Sequence, residues 1–177
     1  MKQMTTTTEV LRYRSPNKTD GAKIWKLVKD SGKLDVNTPY FYVTMSHWFS
    51  HSCMLVEDTE NGRLVGVIVG FRQPENPDIL FIWQITVADD YRGKGIALLL
   101  LDEVASQSNI QYVEATISPS NASSRRLFEK WAATKKVNIV RTEGFGRELF
   151  PDNAHEQEDL YVIGPLKEYR EHKGEKR

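Results

Sequence analysis

The chain has 177 residues, with 24 basic and 24 acidic side chains, 40% apolar residues and one cysteine. A chain of this length usually forms one domain, and its zero formal net charge provides no overall positive field to attract nucleic acid or an anionic membrane. The lone Cys53 excludes an internal disulfide and a multi-cysteine zinc site.

Both ends of the chain lack regularly spaced apolar residues. Residues 1–9 are rich in threonine and residues 166–177 are almost wholly charged or polar, so both are predicted to be disordered. Residues 10–165 contain no Gly/Ser linker and no repeat, which predicts a single domain. The longest apolar runs fall far short of the ~20 residues that span a bilayer, and no signal peptide is evident, so we expect a soluble cytoplasmic protein.

The first half of the domain predicts a strand, two helices and a hairpin. An alternating segment at 10–14 precedes an amphipathic helix that ends at Gly32, because apolar residues recur there at three-and-four spacing: Ile24, Leu27 and Val28. An aromatic-rich second helix is predicted over 39–49. Strands at 53–57 and 64–71 then flank Asn61-Gly62, a dipeptide typical of hairpin turns.

The second half predicts alternating strands and helices. A long β-prone run at 79–87 leads through a glycine-bearing turn into a helix at 95–105, which is apolar on nearly all faces and so needs cover on several sides. A strand, a helix and two closing strands follow, at 111–117, 121–131, 137–142 and 160–163. This order predicts an α/β fold with a mixed sheet.

The turn between the 79–87 strand and the next helix carries Gly93 and Gly95. Small residues at such a turn allow backbone N–H groups at the helix N-terminus to converge on an anion. The dinucleotide fingerprint G-x-G-x-x-G fails at Leu98, and the P-loop pattern is absent. Taken alone, the two glycines are compatible with an ordinary turn or with a phosphate cradle.

The motif Arg92-x-x-Gly95-x-Ala97 resembles the acetyl-coenzyme A signature of the GCN5-related N-acetyltransferases, the GNAT superfamily. A block that runs from Asn121 to Lys130 is similar to the fourth-helix pattern of that family, and the predicted order of elements also matches. The resemblance covers residues 10–165. It implies a mixed sheet of about six to seven strands, splayed between the fourth and fifth strands and flanked by about four helices.

The same resemblance implies acetyl-CoA as the cosubstrate and no metal. Loop amides would hold the pyrophosphate, main-chain groups of Ile85 and Val87 would pair with pantetheine, and the thioester would lie in the splay. The implied cofactor residues are Ile85, Thr86, Val87, Arg92, Gly93, Lys94, Gly95, Ile96, Ala97, Asn121, Ser124 and Phe128. Many family members use a fourth-helix tyrosine to protonate the departing thiolate, but Phe128 stands at that position, so the proton donor stays unassigned.

Four sequence segments resemble those of a narrower group within the family, the diaminobutyrate acetyltransferases of ectoine biosynthesis. They run from Asp20 to Val28, Leu34 to Tyr40, Phe81 to Val87 and Glu114 to Asn121. This resemblance implies direct acetyl transfer in a ternary complex to the γ-amine of L-2,4-diaminobutyrate. It also implies a homodimer, with the aromatic segment 40–49 as a plausible contact.

An amine attacks a thioester only when it is neutral, yet a free primary ammonium has a pKa near ~10. A carboxylate or a water chain must therefore take its proton. Glu114 is either this acceptor or a solvent-facing residue, and a backbone N–H near Ile85 is the expected oxyanion donor. Trp83 is predicted to be the wall of the cleft, with a packed core indole as the alternative.

The diamine also needs a fixed carboxylate, for which Asp35 is the first candidate. The predicted substrate residues are Asp35, Tyr40, Tyr42, Trp83, Glu114, Thr116, His155 and Glu158, with Thr44 and His47 as weaker candidates. His47 and His51 have a spacing that can ligate a metal, but a third ligand is unclear, so no metal site is predicted.

Two alternatives to this hypothesis stay open. The chain could acetylate another amine, such as a polyamine, a lysine or a protein N-terminus, for which an open acidic groove would be expected. It could also be an acyl-CoA-binding module without turnover, since Phe128 removes one possible catalytic acid.

Overall fold

The computed structural model describes residues 11–32, 34–107 and 109–167, so the predicted disordered ends lie outside this part except for residues 166 and 167. The described residues form seven strands: β1 Leu11–Arg14, β2 Met54–Asp58, β3 Arg63–Arg72, β4 Ile79–Val87, β5 Tyr112–Ile117, β6 Ile139–Phe145 and β7 Glu158–Ile163. The longer helices are α1 Gly21–Ser31, α2 Pro39–Trp48, α3 Ile96–Ala105 and α4 Ala122–Lys135. The predicted mixed α/β fold is confirmed.

The strands form one sheet in the order β1-β2-β3-β4-β5-β7-β6. β4 and β5 run parallel and pair from Ile79 opposite Tyr112 to Ile82 opposite Ala115, while the other neighbours are antiparallel. Beyond Ile82, β4 continues to Val87 with no pairing to β5. The sheet therefore opens between these two strands, as the family resemblance implied.

A β-bulge lies in β4 just where the opening begins. Val69 of β3 pairs with Gln84 while the next residue, Gly70, pairs with Ile82, so Trp83 has no opposite residue. A bulge of this kind re-aims side chains and often lies next to active sites. Trp83 is 47% exposed, whereas Ile82 and Gln84 are buried.

The helices cover the sheet and complete the core. α1 buries the predicted apolar residues Ile24, Leu27 and Val28, and it ends at Gly32 with a φ of 60°. α3 packs on β2, β3 and β4, and α4 packs beside it. The prediction that α3 is covered on several sides is correct for Leu100 and Leu101, but Leu99 is 46% exposed.

Leu166, the first residue of the predicted tail, contacts the sheet. It donates its backbone N–H to the Gln111 carbonyl (2.8 Å) and is partly buried against the core. Within the described residues, none of the helices combines the length and apolarity that a membrane crossing requires.

Candidate active site

The loop that precedes α3 has the backbone conformation of an anion cradle. Gly93 and Gly95 have φ angles of +79° and +80°, in the left-handed region that favours glycine. A Cβ at either position would meet nothing within 4 Å, so the backbone angle and not crowding selects glycine there. Gly95 directly precedes α3, whose first N–H groups have no partner within the helix.

A cavity of about 360 Å³ lies against this loop and runs along the unpaired end of β4. It contains most of the predicted cofactor residues: Ile85, Thr86, Val87, Arg92, Gly93, Gly95, Ile96, Ala97, Asn121 and Ser124. The sequence predictions missed six further lining residues: Leu34, Tyr91, Leu98, Ser123, Leu127 and Lys130. Three of these missed residues lie on α4: Ser123 is between Asn121 and Ser124, and Leu127 and Lys130 follow about one and two turns later.

Two predicted cofactor residues do not line this cavity. Phe128 is 2% exposed and belongs to the hydrophobic core, because the α4 face with Ser124 and Leu127 is the one that meets the cavity. Lys94 is exposed, and its Nζ lies 4.6 Å from the centroid of the Tyr91 ring.

Arg92 is held at the base of the loop. Its guanidinium forms an ion pair with Asp89 at 2.5 Å, and its Nε donates to the backbone carbonyl of Val87 at 3.2 Å. Main-chain groups of Val87 were predicted to pair with pantetheine, and its carbonyl already accepts this one hydrogen bond. Arg92 connects the end of β4 to the loop.

A second and larger cavity, of about 960 Å³, is lined by residues of both splayed strands, among them Trp83 of β4 and Thr116 of β5. It shares Leu34, Asn121 and Ser123 with the first cavity, so the two meet at the N-terminal end of α4. Five of the predicted substrate residues line it: Asp35, Trp83, Thr116, His155 and Glu158. The structure brings these five together from distant parts of the chain.

Three titratable groups cluster in the second cavity. His155 Nε2 lies 3.4 Å from an Asp35 carboxylate oxygen and 3.9 Å from one of Glu158. Hydrogen bonding of the His155 ring to the Glu156 carbonyl, and then to Asp35, raises the pKa of His155. Burial raises the pKa of Glu158, although His155 acts against this shift. Among the described residues that line this cavity, His155 is the one basic side chain.

A buried polar chain holds the loop that carries Asp35. The Tyr42 hydroxyl donates to Gln84 at 2.9 Å and accepts from the Asn37 backbone N–H at 3.3 Å. The Gln84 amide donates to the backbone carbonyl of Asp35 at 2.6 Å.

The two tyrosines predicted to bind substrate lie elsewhere. Tyr42 is fully buried and absent from the cavity lining, and its hydroxyl holds the Asp35 loop through Asn37 and Gln84. Tyr40 is 79% exposed outside the cavity. The two weaker candidates on α2, Thr44 and His47, are also absent from the lining.

Glu114, the predicted proton acceptor, lies outside the lining of both cavities. It is opposite Phe81, where β4 and β5 are still paired, whereas Thr116 lies beyond the last pair and reaches the cavity. The Gln73 amide donates to Glu114 at 2.5 Å, and burial raises the pKa of this carboxyl. The structure therefore assigns Glu114 no contact with the two cavities.

Aromatic side chains form the apolar wall of the second cavity. The Trp83 ring lies 5.3 Å from that of Phe41 and 6.4 Å from that of Phe81, between centroids. On the opposite side, Phe150 stacks on His155 at 4.4 Å. The lining also includes residues that the sequence predictions did not select, namely Asn37, Phe81, Gln84, Ser118, Ser120, Ala122, Phe145, Leu149 and Phe150.

The segment that carries Phe150 and His155 is tied down by one acidic side chain. Glu156 accepts hydrogen bonds from the backbone N–H and the hydroxyl of Ser120, at 3.1 and 2.6 Å. Apolar residues in the otherwise polar stretch between β6 and β7 were the signal that could have identified this wall. His47 and His51 are exposed, and the described residues include no cluster of three potential metal ligands.

Comparison with known proteins places this geometry in a family. Residues 22–133 match the model of the acetyltransferase (GNAT) family. The chain belongs to the GNAT acetyltransferases. The match spans α1 to α4 and includes both the glycine loop and the splayed strands.

Similar sequences narrow the relationship within the GNAT family. The chain is 44% identical over 154 residues to an L-2,4-diaminobutyric acid acetyltransferase of Halalkalibacterium halodurans, a match that covers 85% of this chain and 80% of the relative. A relative of the same name from Streptomyces coelicolor is 39% identical over 167 residues, covering 92% and 98%. The resemblance to the diaminobutyrate branch of the GNAT enzymes is confirmed.

A solved structure agrees with both findings. Diaminobutyrate acetyltransferase EctA from Paenibacillus lautus, in complex with its substrate L-2,4-diaminobutyric acid and coenzyme A, is 42% identical. Its TM-score with this chain is 0.84, and the match covers 90% of this chain and 97% of that protein.

Proposed function

We propose that this chain transfers the acetyl group of acetyl-CoA to the γ-amine of L-2,4-diaminobutyrate, giving N-γ-acetyl-L-2,4-diaminobutyrate in ectoine biosynthesis. The observation that carries the proposal is the meeting of two unlike cavities at the splay, one along the glycine loop and one lined by carboxylates and an imidazole. The names of the similar proteins support the same substrate pair.

The residues of the first cavity fit acetyl-CoA, which supplies the activated thioester. The loop at Gly93 and Gly95 and the first N–H groups of α3 bind the pyrophosphate through main-chain donors. The unpaired edge of β4 near Ile85 offers main-chain groups to the pantetheine arm. A main-chain N–H there also donates to the thioester oxygen as negative charge develops on it.

The second cavity fits the head group of an α-amino acid. His155, the basic side chain of the lining, binds the α-carboxylate, and its raised pKa favours the charged form that this contact requires. Asp35 lies 3.4 Å away and binds the α-ammonium. With both ends of the head group fixed at Asp35 and His155, the side chain carries the γ-amine toward the splay.

Glu158 takes the proton from the γ-ammonium. It lies deeper in the cavity than Asp35, since its side chain is 18% exposed against 94% for Asp35. Burial raises the pKa of Glu158, which makes its carboxylate a better base. The Glu158 side chain keeps 18% of its surface exposed, so its carboxyl passes the proton on to solvent while His155 stays charged.

Ser123 assists departure of the thiolate. Phe128 is in the core and has no proton to donate, whereas Ser123 lines both cavities at their junction. Of the three residues that the cavities share, Ser123 is the one with a hydroxyl group. This hydroxyl is placed to hydrogen-bond the sulfur, and solvent supplies the proton.

A homodimer, a cytoplasmic location and a single acetyltransferase domain over residues 10–165 are further parts of the proposal. Exposed aromatic side chains around α2 support a contact between two copies, since Tyr40 is 79%, Trp48 74% and Phe49 40% exposed. Large exposed aromatic groups on one surface often mark an interface.

Release of free thiol from acetyl-CoA in the presence of different amines tests the proposal. We expect the highest kcat/KM with L-2,4-diaminobutyrate, and nuclear magnetic resonance of the product should locate the acetyl group on the γ-nitrogen. Equal kcat/KM for putrescine, lysine and a peptide N-terminus would support a different acetyltransferase. Acetyl-CoA binding with no thiol release for any amine would support a binding module.

A further inference from the structure

Tyr91 connects the cofactor loop to a hairpin turn that belongs to neither cavity. It lines the cofactor cavity and is 6% exposed. Its hydroxyl donates a hydrogen bond of 2.6 Å to the carboxylate of Asp58, the last residue of β2. Asp58 is itself 3% exposed, so this contact lies in the interior.

Asp58 also organises the turn between β2 and β3. Its carboxylate accepts from the backbone N–H of Glu60 at 2.8 Å and from the side-chain amide of Asn61 at 2.7 Å. Its backbone carbonyl accepts from the N–H of Gly62 at 2.8 Å. Hydrogen bonds lower the pKa of Asp58, and the bond from the Tyr91 hydroxyl has the largest effect. The carboxylate therefore stays ionised and is a strong hydrogen-bond acceptor.

Two further contacts join the same turn to the loop. Arg63, the first residue of β3, forms a two-point ion pair with Asp90 at 2.6 and 3.1 Å. The Arg63 guanidinium carbon lies 5.7 Å from the centre of the Tyr91 ring, and Lys94 Nζ lies 4.6 Å from it. The ring of Tyr91 thus has cations from both the turn and the loop close to it.

We propose that Asp58 and Tyr91 are positioning residues for acetyl-CoA, which hold the loop in its binding conformation before the cosubstrate arrives. This inference rests on the proposed function. Gly93 and Gly95 give the loop the φ angles it needs, but glycine also increases the conformational entropy lost when a loop is ordered. A contact that orders the loop in the free protein reduces this cost at binding and so raises affinity.

Tyr91→Phe tests the inference because it removes the hydroxyl and keeps the ring. We expect calorimetry to give a Kd for acetyl-CoA about five- to tenfold higher, which corresponds to the loss of one hydrogen bond. The KM for acetyl-CoA should rise equally, while kcat at saturation and the KM for diaminobutyrate stay within about twofold. Tyr13→Phe is the matched control, since Tyr13 lines neither cavity.

The partner variant completes the test. Asp58→Ala should weaken acetyl-CoA binding. The Asp58→Ala/Tyr91→Phe double variant should bind acetyl-CoA little more weakly than Asp58→Ala alone, because Asp58→Ala already removes the hydrogen bond that Tyr91→Phe removes. Additive losses, or normal acetyl-CoA affinity in Tyr91→Phe, would overturn the inference. In Tyr91→Phe, equal losses of kcat, of acetyl-CoA affinity and of diaminobutyrate affinity, together with a lowered Tm, would overturn it as well. A wild-type protein that binds acetyl-CoA but does not acetylate diaminobutyrate would contradict the proposed function alone.

Discussion

The two cavities that meet at the splay are built in different ways. The cofactor cavity is formed largely by one continuous stretch, from Ile85 to Leu98, and its proposed anion donors are main-chain groups. The substrate cavity takes its charged groups from separate segments, Asp35 between two helices and His155 and Glu158 near the end of the described chain. Local sequence thus sets the first cavity, whereas the second depends on how distant segments pack.

The largest effect is expected where the backbone itself forms the site. Gly95→Glu should weaken acetyl-CoA binding by more than about 100-fold, because it places a carboxylate against the pyrophosphate and a side chain at a φ of +80°. Calorimetry with CoA measures this loss. Gly32→Glu is a matched control with a similar left-handed φ of +60° outside both cavities. Normal CoA affinity in Gly95→Glu would exclude the loop as the cradle.

A similarly large effect, on a different constant, is expected in the substrate cavity. Glu158→Gln should lower kcat by about 100-fold or more, the usual contribution of a general base, and leave acetyl-CoA affinity unchanged. Steady-state kinetics at saturating acetyl-CoA measures it, with the exposed Glu143→Gln as the matched control. A kcat of wild-type size would remove Glu158 from the mechanism.

The pH dependence of kcat in the wild type and in Glu158→Gln gives a second readout. Because the base must be ionised, wild-type kcat should fall as the pH drops through the raised pKa of Glu158. This acidic limb should be absent from the residual activity of Glu158→Gln. An unchanged limb would assign it to another group.

A smaller effect is expected at the rim of the substrate cavity. Asp35→Asn should raise the KM for diaminobutyrate about tenfold, because one charge-assisted hydrogen bond to the α-ammonium is lost at an exposed position. The kcat and the affinity for CoA should change little. Asp78→Asn, at an exposed position outside both cavities, is the control. Unchanged amine kinetics would remove Asp35 from the site.

The smallest effect is expected at the junction of the cavities. Ser123→Ala should lower kcat by about three- to tenfold, since one neutral hydrogen bond to the departing sulfur is lost. Ser124→Ala is the comparison, because Ser124 lines the cofactor cavity alone. Equal losses of kcat in the two variants would argue against a special position for Ser123.

The sequence predicts the fold and the cofactor loop well, for local reasons. The spacing of apolar residues indicates the strands and helices. The loop requires glycine at Gly93 and Gly95 because both residues have positive φ angles, which is a local requirement. The bulge at Trp83 could not be predicted in this way. It is a property of the pairing between β3 and β4, and no alternation within β4 reveals it.

The acidic residues show most clearly what sequence patterns cannot predict. Glu114 and Glu158 both lie in strands, and Glu114 was the predicted proton acceptor because its strand was expected to form one wall of the splay. The cavity contact depends instead on where β4 and β5 separate, which is beyond Ile82 and Ala115. The role of Tyr42 also depends on packing, since its hydroxyl donates a hydrogen bond to Gln84, which is distant in the sequence.

A crystal structure with CoA and L-2,4-diaminobutyrate bound would test the division between the two cavities most directly. The α-ammonium should contact Asp35, the α-carboxylate should contact His155, and the γ-nitrogen should lie between Glu158 and the CoA sulfur at the open end of β4. A diamine bound in the reverse orientation, with its α-amine toward the sulfur, would contradict the proposed assignment of the substrate cavity.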